Sequence, residues 1–402
     1  MISRRAAWYA LGVLAFANLV NYGLRNSFQP LYPELRAKFG FTDGELGFIG
    51  FTYMFAHAAA TLPMGWAGDR FDRRRLIALG MGLASIGAAA AAVAGHVASL
   101  AAARAISGLG TAAVVPVANS ILGEAFDGPK KAIALALFNL GLILGGVAGF
   151  GVGAGLGFPG AFYAFAIPAA ILVGVIAILP VAPKRTGAAA SGGARAFLAD
   201  ARELLSIRPL RWLAASSTAM AFATGGYLGW LLDFLQTERH MSKESATQVL
   251  GVSIIGALAG VITGGRIGDR LRVRHRAGRL YAIVLGLGLT VPCAIVCIEA
   301  QPGPLLYVGA VLTMFFVSWY HGPIAASVDD LATGGRAATA QSLVIFSMHA
   351  LGTAPGWWLI GIVAGRTSLT TAMLANTGMV VVAVLLMIRA GRVYGSAPPA
   401  AL

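Results

Sequence analysis

Runs of roughly twenty apolar residues, the length that crosses a bilayer core, recur twelve times along this chain. They lie near residues 6–28, 44–66, 75–95, 98–125, 131–155, 160–181, 211–236, 245–265, 279–298, 304–328, 337–363 and 368–390. Each run predicts a transmembrane helix, because a helix satisfies its own backbone polar groups where no water can. The pattern breaks once, at Pro183, a small-residue stretch over 187–193 and a mixed-charge segment from Arg195 to Arg211. This predicts an all-α membrane protein of twelve helices: a six-helix bundle over 1–182, a cytoplasmic linker over 183–210 and a second six-helix bundle over 211–402. The mixed-charge segment predicts a short amphipathic helix on the cytoplasmic face.

Composition agrees on the solvent. Only 11% of residues are charged and 57% are hydrophobic, with a mean hydropathy of +0.76; soluble domains carry about 25% charged residues. The net charge of +14 would suggest nucleic acid in a soluble protein. Here the distribution of Lys and Arg explains it, and no nucleic-acid partner is expected. With the N-terminus inside, 23 of the 30 basic residues face inward and five outward. That asymmetry predicts a multi-pass protein of a bacterial inner membrane with both termini cytoplasmic. Arg4, Arg5 and the apolar run to Ala17 resemble a signal peptide, but Asn18, Asn21 and Arg25 continue the segment as a first span. Cys293 and Cys297, one helical turn apart, read as buried structural thiols.

Two charged turns repeat at matching places. Gly65-Trp66-Ala67-Gly68-Asp69-Arg70-Phe71-Asp72-Arg73-Arg74 returns 200 positions on as Gly265-Arg266-Ile267-Gly268-Asp269-Arg270-Leu271. Both resemble the loop between the second and third helices of each half of major facilitator superfamily transporters, whose pattern is G-x-x-x-D-R-x-G-R-R/K. The first copy departs only at the second Gly, where Asp72 stands. The resemblance implies two pseudo-symmetric bundles that rock about a central site in alternating access. Asp69, Arg70, Arg73, Asp269 and Arg270, joined by Glu124, would then form acid–base latches on the cytoplasmic side. The alternative is a purely topogenic basic loop.

The repeat aligns Arg25 with Gly225 and Arg104 with Pro304. Buried charge that breaks a repeat points to substrate rather than scaffold. An intramembrane Arg costs about 2.5–3.5 kcal/mol on insertion scales. Arg25 therefore reads as a fork for a carboxylate or phosphate, or else as an Arg snorkelling from the outer end. Arg104 reads as a second binding or gating group, or as an interface Arg. Asp233 is the candidate gate partner or proton site. His57, His321 and His349 are candidates for proton coupling, against the plainer role of packing residues. Asn21, Tyr22, Asn119, Asn139, Tyr227, Trp230 and Gln341 are candidate cavity residues, with interhelical hydrogen bonding and interface anchoring as alternatives. Span five carries seven glycines over 141–155 but no Pro between Ala132 and Phe158, which weakens a drug–proton antiporter reading. No nucleophile–base pair, metal cluster or phosphate loop is legible, so no enzyme activity, metal or cofactor is expected.

A narrower resemblance is to spinster-like lipid transporters. It rests on Asn21-Tyr22-x-x-Arg25, on Arg104, and on Arg336-Ala337-Ala338-Thr339-Ala340 leading to Phe346-Ser347-Met348-His349-Ala350-Leu351-Gly352. That group's acids are replaced here by Leu24, Thr111 and Thr353. The loss favours an anionic or zwitterionic substrate over a free amine, and removes one route for protons. Tyr22…Arg25-Asn26-Ser27-Phe28 also resembles the first span of organic-phosphate and organic-anion transporters. The resemblances imply a secondary or facilitative transporter, expected as a monomer, that moves a lysophospholipid-like amphiphile. A small organic anion or phosphate ester is the second expectation, and a ligand receptor that moves nothing is the third.

Overall fold

The computed structural model describes residues 3–68, 71–126, 129–180, 194–332 and 337–396. The chain forms two compact units, Met1–Ala190 and Ser191–Leu402, all-helical among the described residues. The first contains α1 (Arg4–Asn26), α2 (Tyr32–Phe39), α3 (Asp43–Gly68), α4 (Arg73–Ala92), α5 (Val97–Thr111), α6 (Val114–Ala125) and α7 (Pro129–Ala177). The second contains α8 (Ala194–Ser206), α9 (Arg208–Thr237), α10 (Lys243–Arg274), α11 (Gly278–Glu299), α12 (Pro304–Val317), α13 (His321–Leu331), α14 (Ala337–Ser347), α15 (Ala354–Ala364) and α16 (Leu369–Ser396). Among the described residues nine helical segments are long and apolar enough to cross a membrane. One of them, α7, folds back on itself. With α3 and α9 the order of twelve passes is complete, so the protein is an all-α multi-pass membrane protein.

The outside of each unit is apolar. Leu79 and Ile86 of α4, Ile171 of α7 and Ile255 of α10 are more than 60% exposed, as expected where lipid is the solvent. Polar side chains lie inside instead, and they join helices: Asn18 donates to the Phe138 carbonyl (3.0 Å), Ser216 to Ala383 (2.7 Å) and Asn376 to Ala223 (2.8 Å).

α7 is two limbs joined at Gly157, φ 62°, and the extended Phe158. Only glycine adopts that φ without strain. The Phe158 N–H donates to the Glu34 carboxylate at 2.8 Å, which anchors the turn. The first limb runs parallel to α1 at backbone contact. A Cβ on Gly145 would sit 2.3 Å from the Leu19 carbonyl oxygen, and one on Gly149 2.5 Å from the Gly23 oxygen. The glycines of span five therefore serve close helix packing. Gly145→Ala forces the two helices apart and is expected to cost about 1–3 kcal/mol, the usual range for overpacking. Gly151→Ala meets nothing within 4 Å. Thermal melting in detergent should fall for the first variant and hold for the second; equal melting would remove the close contact as a source of stability. The second unit uses the same device, with Gly352 and Gly356 of the eleventh pass against the carbonyls of Thr218 and Phe222 in α9.

The segment between the bundles contains α8, with Ala201 and Leu204 buried and Arg202 and Glu203 exposed. Residues 181–193 lie outside the described residues, as do Asp69, Arg70 and Arg336.

Asp72, the departure from the loop pattern, has a local structural role. It is the N-cap of α4, accepting from the Arg74 backbone N–H at 3.0 Å, and its other oxygen pairs with the Arg74 guanidinium at 3.1 Å. That guanidinium holds the Asp72 carboxyl below the ordinary carboxylate range. A lowered folded value means the contribution is present at neutral pH and is lost as pH falls through that value. Asp72→Ala is expected to cost about 1 kcal/mol, as for other N-caps. The melting difference from wild type should shrink on acidification from pH 7 to 3; a difference independent of pH would show that the charge contributes nothing.

Candidate functional site

The polar centre of the first unit forms where α1 ends. The regular helix stops at Asn26, the Ser27 N–H closes on the Gly23 carbonyl, and a 3-10 turn over Gln29–Leu31 leads into α2. Helix ends leave carbonyls without intrahelical donors. At this end they are met by Arg104 of α5, whose Nη1 donates to the Leu24 carbonyl (3.0 Å) and Nη2 to the Arg25 carbonyl (3.2 Å). A cation at a helix C-terminus is also favoured by the helix dipole. The guanidinium is fully buried and stands over the rings of Tyr53 at 4.2 Å and Phe28 at 5.0 Å. Carbonyls and aromatic faces surround this charge.

The helical path nevertheless continues to Phe39. Arg25 is thus set back from the end of its pass rather than at the rim. Its side chain is half-buried, 5.8 Å from the Tyr22 ring. It makes no ion pair and no side-chain hydrogen bond among the described residues. Tyr22, Tyr53, His57 and Arg104 all lie within its electrostatic reach. Asn21 is buried on the same turn.

Behind Arg25, α3 and α5 are tied by a small network. The Thr111 hydroxyl donates to the Gly108 carbonyl (2.9 Å) and accepts from Tyr53 Oη (3.1 Å). His57 Nδ1 lies 3.0 Å from the same Thr111 oxygen. The Thr111 hydroxyl thus joins both Tyr53 and His57 of α3 to α5. Tyr53 did not stand out in the sequence, and Phe28 did so only as the end of the Arg25-Asn26-Ser27-Phe28 run. The only signal available was the i, i+4 spacing of Tyr53 and His57, which puts both on one face of α3.

The remaining candidates are dispersed. Asn119 is half-buried on α6, and Asn139 is exposed and donates to the Leu135 carbonyl of its own helix (2.8 Å). In the second unit Tyr227 is buried and donates to Cys297 Sγ (3.0 Å); Cys293 and Cys297 are both free thiols. Trp230 Nε1 donates to the Trp357 carbonyl (2.9 Å), and Trp357 Nε1 donates back to Gly225 (2.6 Å), so two indoles stitch α9 to α15. Asp233 is buried. Gln341 donates to the Ala325 carbonyl (2.8 Å) and Asp329 (3.0 Å). His349 lies on a widened π turn over Met348–Thr353, 3.5 Å from Thr353 Oγ1. His321 is exposed and stacks on Tyr320 at 4.0 Å.

At the basic turns, Arg73 meets both Glu124 oxygens at 2.8 and 3.0 Å. In the second unit Arg279 bridges Asp269 (3.1 Å) and Asp330 (3.0 Å), while Arg270 is exposed. Arg279 was not singled out from the sequence, because it lies beyond the repeated motif. Among the described residues no group of three or more His, Cys, Asp or Glu could hold a metal ion.

The comparisons with known proteins agree with this architecture. Protein spinster homolog 3 of Danio rerio is 25% identical over 395 residues, covering 91% of this chain and 78% of that protein. The sphingosine-1-phosphate transporter SPNS2 of Danio rerio is 24% identical over 395 residues, covering 90% and 76%. The fold is that of a bacterial homolog of the human lysosomal transporter Spinster, solved in an inward-facing, unoccupied conformation. The TM-score is 0.82 at 17% identity, over 98% of each chain. The profile of the Major Facilitator Superfamily matches residues 14–354; a multi-pass helical chain that carries that profile over most of its length belongs to the major facilitator superfamily of transporters.

Proposed function

We propose that the chain carries an anionic or zwitterionic amphiphile, of the lysophospholipid or sphingolipid-phosphate kind, across a bacterial inner membrane by alternating access. The observation that carries this reading is Arg25. It is a half-buried guanidinium in an apolar unit, with no acceptor among the described side chains, beside the ring of Tyr22. A half-buried fork of this kind suits a phosphate or carboxylate, and the apolar surroundings suit an alkyl tail. The relative described as a sphingosine-1-phosphate transporter supports that class of substrate. Arg104 acts in this reading by fixing the end of α1 and so the position of Arg25. Arg73 with Glu124, and Arg279 with Asp269, are proposed as control elements at the cytoplasmic end, with both termini on that side and a monomer as the working unit.

The test is counterflow of labelled lysophosphatidylglycerol in proteoliposomes, with and without a pH gradient. Saturable exchange supports the reading, and acceleration by the gradient adds protons as the coupling ion. Exchange of glycerol phosphate but not of the lysolipid overturns it in favour of small phosphate esters. Binding of the lysolipid without any exchange overturns it in favour of a receptor.

A further inference from the structure

Tyr9, Gly12 and Phe16 on one face of α1, with Pro168, Ile171 and Val175 on the second limb of α7, line an open apolar groove of about 570 Å³. The space beside Gly12 is open: a Cβ there would meet nothing within 4 Å. Tyr9 and Phe16 stand at its two ends along α1, 52% and 47% exposed. One end of the groove is basic. Arg5 lies one turn before Tyr9 on the same stripe of α1; it is exposed and has no ion pair among the described residues. On the other wall, one turn beyond Val175, the Leu179 carbonyl accepts from Arg74 Nη1 at 3.2 Å. An apolar channel of about 10 Å along the helix axis therefore opens near the Arg5 guanidinium, at the end of the unit that carries its basic turns, whereas Arg74 is already paired with Asp72.

We propose that this groove is a site for a resident anionic phospholipid, one acyl chain lying over Gly12 and the headgroup phosphate meeting Arg5. Its surroundings are lipid, so an acyl chain is the occupant at hand. The charge at one end selects an anionic headgroup over a neutral one, since basic residues at the membrane surface attract anionic lipids. The polar centre around Arg25 plays no part in this site.

Native mass spectrometry of the full-length protein in detergent, titrated with phosphatidylglycerol or phosphatidylcholine, tests it. Wild type should retain phosphatidylglycerol at least fivefold better than phosphatidylcholine. Gly12→Leu puts a branched side chain into the space where a Cβ meets nothing within 4 Å, and should reduce the phosphatidylglycerol adduct about tenfold with unchanged melting. Arg5→Gln should reduce the preference for the anionic lipid and leave phosphatidylcholine retention as it was. Equal retention of the two lipids by wild type would show annular lipid only and overturn the proposal. Undiminished phosphatidylglycerol binding by folded Gly12→Leu would overturn it as well. Should Gly12→Leu not fold, Arg5→Gln decides alone: an unchanged lipid preference overturns the site.

Discussion

Arg104→Ala is expected to destabilise the first unit by about 3–5 kcal/mol, the range for emptying a large buried site. Two effects set the sign. The Arg25 carbonyl loses the side-chain donor that Arg104 gives it, while the Leu24 carbonyl keeps only the Ser27 hydroxyl, and a buried carbonyl left unpaired costs about 1–3 kcal/mol. The rings of Tyr53 and Phe28 lose the group between them. Against this, removing a buried charge relieves its desolvation cost. The relief is partial, because carbonyls and aromatic faces already solvate the guanidinium. For a unit of this size the loss corresponds to a fall of roughly 6–20 °C in melting temperature. Arg104→Lys should recover only part of it, since one ammonium cannot fork to two carbonyls as a planar guanidinium does. A melting temperature within 2 °C of wild type for Arg104→Ala would show that the end of α1 does not depend on this clamp.

Arg25→Ala should do the opposite: leave melting intact and remove binding. The side chain makes no hydrogen bond with the described side chains that folding would miss, and its carbonyl stays on Arg104. A charge-assisted hydrogen bond contributes about 1.5–3 kcal/mol, so loss of a two-pronged contact should weaken the lysolipid by roughly a hundredfold or more. Arg25→Lys should fall between, keeping the charge and losing the fork. Isothermal titration or scintillation proximity binding on purified protein reads this directly. Wild-type affinity in a folded Arg25→Ala would take Arg25 out of the substrate site.

The two arginines show what a sequence discloses and what it does not. The twelve passes were legible because apolar length has one physical meaning in a membrane. The loop motif and its copy at an offset of 200 were legible because repetition is visible without coordinates. That Arg25 and Arg104 would lie inside the first unit was also legible, from the cost of charge in lipid. What Arg104 would bond to was not. A buried guanidinium needs oxygen acceptors, and a substrate phosphate and the frayed end of a neighbouring helix both supply them. Only the geometry of α1 against α5 distinguishes the two. Asp72 is a similar case. As a missing glycine it was a blemish in a pattern; as the cap of α4 it is a local hydrogen bond that no pattern encodes. The π turn at Met348–Thr353 was hidden too, because widening a helix by one residue per turn leaves its apolar composition unchanged.

The clamp on α1 has one further consequence. A carboxylate or imidazole at that place would gain and lose charge as the cell's pH moves, and the helix end would loosen and tighten with it. A guanidinium does not titrate in any range a cell visits. The joint between α1 and α5 is therefore indifferent to proton concentration, and any response of this transporter to acid has to enter through other groups.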